Sequence, residues 1–121
     1  MKTITAKVFE GNCSGGLKFD PDKLKAAIEE YASKDKDDRL VTDGNGTELS
    51  HICGKVNDIS YENGDVYSEI ELIDTPKGKF IEEVIGMGIE FDVVPVGVCN
   101  VNEKKEVTDF ELCGFSIINN P

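Results

Sequence analysis

Asn63-Gly64 is the feature that most constrains the chain. It stands between HICGKVNDISY (51–61) and DVYSEIELID (65–74). A two-residue hairpin turn needs positive φ at both central positions, and Asn-Gly supplies this at least steric cost. In the second run Val66, Ser68, Ile70 and Leu72 alternate with Tyr67, Glu69 and Glu71, so one face goes to a core and the other to water.

The flanking segments extend this into a domain. TITAKVF (3–9) alternates as a first strand, followed by a glycine-rich turn, GNCSGG (11–16). DPDKLKAAIEEYASK (20–34) reads as a helix: Asp20 caps, Pro21 suits the first helical position, and Leu24, Ala27, Ile28 and Tyr31 form one apolar face. KDKDDRLVTDGNG (34–46) is polar and turn-rich and reads as a mobile loop that orders on docking. A second helix starts at Thr75-Pro76, is expected to bury Phe80, Ile81, Val84 and Ile85, and ends at Gly86 or Gly88. Two strands, 89–101 and 106–118, close the chain around NEKKE (102–106). The expected fold is α+β: one domain over 1–121, a small, mostly antiparallel β-barrel or half-barrel with two helices, its first and last strands forming the edges.

Charge narrows the partners. The net charge is −11, and Lys104-Lys105 is the one basic pair, enclosed by Glu103 and Glu106. No nucleic-acid partner is expected, because phosphate binding needs clustered cations. No membrane partner is expected either: no apolar run approaches the roughly 18 residues of a span, and MKTITAKVFEG lacks the apolar core of a signal peptide. Cys13, Cys53, Cys99 and Cys113 show no C-x-x-C spacing and read as reduced thiols.

Residue types alone assemble no site. His51, the one histidine, lies two residues from Cys53, which permits a dyad on one strand face. The same spacing suits a half-buried histidine beside a packed cysteine. Asp43, Asn45 and Thr47 are spaced like the start of a calcium loop, but Glu48 and Gly54 occupy the positions that need glycine and glutamate. No metal and no cofactor are expected.

Four stretches, in order, resemble the tailed-phage prohead maturation proteases, relatives of the herpesvirus assembly protease. Val56-Asn57-Asp58-Ile59 is similar to the end of the family's histidine strand, and Leu72 to Phe80 to its T-P-x-G element. The closing EVTDFELCGFSIINNP is similar to the family's ending, and NCSGGLKFDPDKLKAAIEEY more loosely to its start. The catalytic residues implied by the resemblance are missing. Setting Gly86 and Gly97 on the family's flanking glycines puts Asp92 at the nucleophilic serine, Val94 at the arginine and Pro95 at the next glycine. Counting back from Val56 puts Gly54 at the catalytic histidine, three residues after His51. Ser116 replaces the aspartate common near the end. An aspartate cannot act as the hydroxyl of a serine-type acyl transfer.

The resemblance therefore implies a non-catalytic virion protein, an auxiliary or decoration (cement) protein. It would be made in the host cytoplasm and carried on the capsid's outer surface. Its expected partner is the major capsid protein, with self-association on the shell as a further possibility. The alternatives are a prohead protease with a rearranged site, using His51 with Cys53, Ser50 or Cys99, and a regulatory pseudoprotease that binds the protease or scaffold.

Overall fold

The computed structural model describes residues 2–44 and 51–119, without the side chain of Asn119. Among these residues eight strands form one curled mixed sheet: β1 (Thr3–Phe9), β2 (Cys13–Ser14), β3 (Leu17–Phe19), β4 (Leu40–Asp43), β5 (Ile52–Glu62), β6 (Asp65–Leu72), β7 (Phe91–Val101) and β8 (Glu106–Asn119). Two helices, α1 (Pro21–Ala32) and α2 (Pro76–Gly86), complete the α+β half-barrel. The strand order is β1-β6-β5-β4-β8-β3-β2, with β7 on β8. Among the described residues parallel pairing is confined to β8 with β3 and β4.

Local chemistry sets the expected elements. Asn63 and Gly64 take φ of 51° and 90° and join β5 to β6. Asp20 Oδ2 accepts from the Lys23 amide at 3.1 Å and caps α1. Thr75 Oγ1 accepts from the Gly78 amide at 3.0 Å and caps α2; such a cap stabilises a helix by about 1 kcal/mol. Leu24, Ala27, Ile28 and Tyr31 are buried, and each large apolar side chain removed from water contributes roughly 1.5–3 kcal/mol. Phe9, Phe19 and Phe110 meet edge to face with centroids 4.9–6.1 Å apart, tying β1, β3 and β8 together.

Four expectations are corrected. The stretch 34–46 is not simply a loop: Leu40–Asp43 is a strand between β5 and β8, and Val41 is fully buried. Its short apolar content is hidden by charged neighbours, and two non-local partners supply its hydrogen bonds. The last strand is not an edge. β8 runs along β7 on one side and along β3 and β4 on the other. Phe80 is 56% exposed, and Ile81 alone of the four expected α2 side chains is buried. GNCSGG contributes a short hairpin, β2–β3, turning on Gly15 and Gly16 at φ 59° and 80°.

The curl brings the two ends of the long strand path together. Following the pairings, β1 and β7 point the same way, and Thr5, Ala6 and Lys7 share a shallow cleft with Phe91 to Val94. No ladder joins these two strands among the described residues. Behind the opposite side of the barrel, Arg39 is buried at 6% exposure and donates to the carbonyls of Ala32 and Asn57, both at 3.2 Å. It thereby closes the C-terminal end of α1 with a cation, where the helix dipole favours one.

Candidate functional site

The β4–β5 ladder builds the site. Thr42 pairs with Ile52, so the next residues outward are Asp43 and His51. Asp43 Oδ1 lies 2.7 Å from His51 Nδ1, and Asp43 Oδ2 lies 3.4 Å from Lys77 Nζ at the start of α2. A carboxylate only accepts, so the proton of this hydrogen bond sits on Nδ1. All three side chains are partly exposed.

Asp43 also lines a cleft of about 770 Å³ between α2 and the ends of β4, β7 and β8. Its walls are apolar: Phe80, Ile81, Val84, Ile85, Phe91 and Ile118 among others. A concave apolar site with a few polar groups at one end is the usual form of a binding pocket. The close packing of α2 on β5 that shapes it depends on Gly78. A β-carbon there would collide with the Ile73 carbonyl oxygen and lie 2.9 Å from that of Cys53.

Cys53 does not join His51. The β4–β5 register shifts between Val41 and Thr42, leaving Cys53 as the extra residue, and such a bulge breaks the two-residue alternation of faces. Cys53 is fully buried, with Sγ turned to the Val41 carbonyl at 3.5 Å. Burial, and secondarily Asp43, pushes its thiol up to about 12, so it is not an accessible thiolate. Cys99 stands opposite Phe110, whereas Asp43 stands opposite Ile117; seven residues of β8 separate these rungs by roughly 23 Å. Ser50, Asn45, Thr47 and Glu48 lie outside the described residues. Among the described residues no hydroxyl or thiol bonds to His51, and no cluster of His, Cys, Asp and Glu could hold a metal ion.

The positions given by counting are also placed. Gly54 shares a row with Val41, Phe115 and Pro95 through successive pairings. Asp92, exposed on β7, is three residues beyond Pro95. A β-carbon at 54 would lie 2.8 Å from the Glu71 carbonyl oxygen and 3.1 Å from Ile70 Cγ2. Ser116 is buried opposite Thr42 and Val94, and its hydroxyl has no hydrogen-bond partner among the described residues.

No family model matches the sequence, and no curated protein matches it. Among solved structures the chain is similar to the bacteriophage T4 capsid assembly protease, with a TM-score of 0.78, 15% identity, and coverage of 98% of this chain and 81% of that one. The fold is prohead-protease-like. Within it, the Asp43–His51 pair was missed by reading residue types, because Asp43 lay in a presumed loop. Recognising β4 as a strand would have found it, since 42 plus 52 equals 43 plus 51 across an antiparallel pair.

Proposed function

We propose that this prohead-protease-like chain is a non-catalytic virion protein of a tailed phage, binding the major capsid protein on the outer shell as an auxiliary or decoration protein. The observation that carries the reading is at position 54. There the chain has a glycine in place of the histidine implied by the resemblance, and a β-carbon would lie 2.8 Å from the Glu71 carbonyl oxygen, while an aspartate stands at 92 in place of the serine. A serine-type protease needs hydroxyl, base and orienting group within hydrogen-bond reach of one another. The acidic surface, with a net charge of −11, suits a shell's exterior better than contact with packaged DNA.

One observation favours a second reading. Asp43 and His51 form a base with its orienting carboxylate beside an apolar cleft. A protease with a rearranged site would need a nucleophile brought to that pair, and Ser50 is adjacent in sequence. Incubation with capsid precursor and with a serine-reactive phosphonate separates the two. The non-catalytic reading expects neither cleavage nor adduct. Labelling that disappears in His51→Ala would replace it with the rearranged protease.

A further inference from the structure

Among the described residues β7 pairs only with β8, so one of its sides is open. Its first residues, Phe91 to Val94, share a cleft with β1; the second half, Val96 to Val101, has no second ladder among the described residues. That half exposes Val98 at 68%, Val101 at 44% and Val96 at 38%. Natural open edges are normally guarded by lysine, proline, charge or bulges. Here Pro95 guards only the beginning. The two bulges in the β7–β8 ladder put their extra residues, Cys113 and Thr108, on β8 and leave β7 regular. From Val93 to Val101 the strand has no charged side chain. The other open edges differ: β1 has Lys7, paired with Glu10 and Asp65, and β2 is two residues long.

We propose that this half of β7 is a strand-pairing site at which two copies of the chain join, antiparallel, into one continuous sheet. The strip is complementary to itself when antiparallel, and its lack of charge lets a second copy approach it. Copies of a chain with net charge −11 repel over most of their surfaces, whereas two β7 strands meet with no like charges in contact. The pairing is isologous, so one self-complementary strip serves both copies. It supplies hydrogen bonds to the unpaired backbone groups and sets Val96 and Val98 of both copies on one face. The nearest carboxylates on that face, Glu111 opposite Val98 and Asp109 opposite Asn100 on β8, would be at least three strand spacings, about 14 Å, from their counterparts. That exceeds the roughly 8 Å Debye length at physiological salt.

Sedimentation velocity over a concentration series, with Val98→Lys and Met87→Lys, tests this. A lysine at 98 can pair with Glu111 in the monomer but places two cations near the dimer axis. The expected result is a monomer–dimer equilibrium whose dissociation constant rises roughly tenfold or more in Val98→Lys. Met87, 71% exposed at the end of α2 and off this edge, should tolerate lysine with the dimer unchanged. A monomer at every concentration would overturn the proposal and leave the edge to a strand of another protein. A dimer indifferent to Val98→Lys, or one dispersed by Met87→Lys instead, would overturn it in favour of another surface.

Discussion

Asp43 and His51 face each other at the end of the β4–β5 ladder, Oδ1 to Nδ1 at 2.7 Å. The pair holds β4 and β5 together where the ladder ends, and Lys77 brings α2 to the same carboxylate. One aspartate thus joins three elements at the edge of the apolar cleft.

The neutral imidazole of His51 should have its proton on Nδ1, the nitrogen that faces a pure acceptor. Long-range proton–nitrogen NMR should report that tautomer in the wild type and a shift toward the Nε2–H form in Asp43→Ala. An Nε2–H tautomer in the wild type would contradict the hydrogen bond.

Gly78→Ala should destabilise the fold by about 1–3 kcal/mol or more, because the new methyl meets two backbone carbonyls that have nowhere to retreat. Gly86→Ala, at the end of α2 with open space around it, should be neutral or stabilising by up to about 1 kcal/mol. Chemical denaturation of both variants checks the contrast.

Restoring the residues implied by counting should not restore chemistry. Gly54→His with Asp92→Ser is expected to be less stable than Asp92→Ser alone and to remain inert toward capsid precursor, since position 54 lacks room for a side chain. Precursor cleavage by the double variant would show that the two positions can meet.

Cys53 should resist alkylation in the native state while the exposed Cys13 and Cys113 react readily. Its folded thiol is raised to about 12 against about 8.5 when unfolded. The unfolded chain therefore loses this proton first as pH rises. The contribution to stability is complete below about pH 8.5 and is lost progressively toward pH 12. Cys53→Ala should remove that component of the alkaline loss in pH-dependent denaturation. A matching alkaline profile in the variant would contradict the assignment.

What the sequence made legible was local. The Asn63-Gly64 turn, the Asp20 and Thr75 caps and the alternation of β6 all depend on neighbouring residues, and each stands where its chemistry puts it. What it concealed was non-local. β4 is four residues between charged segments, and its strand character comes from β5 and β8. Arg39 reads as one more charge in a polar run, yet it is buried against the end of α1. The exposure of Phe80 could not be read from helical periodicity, because that side of α2 meets the open cleft instead of a packed strand. The site suffered for the same reason: Asp43 and His51 are eight residues apart and meet only through a strand that composition hid.

The most direct measurement is the copy number of this chain in purified mature virions, by quantitative mass spectrometry against the major capsid protein. A decoration protein is expected at a high, fixed ratio that survives maturation. Presence in proheads followed by loss from mature particles would contradict that role and return the chain to the maturation proteases whose fold it shares.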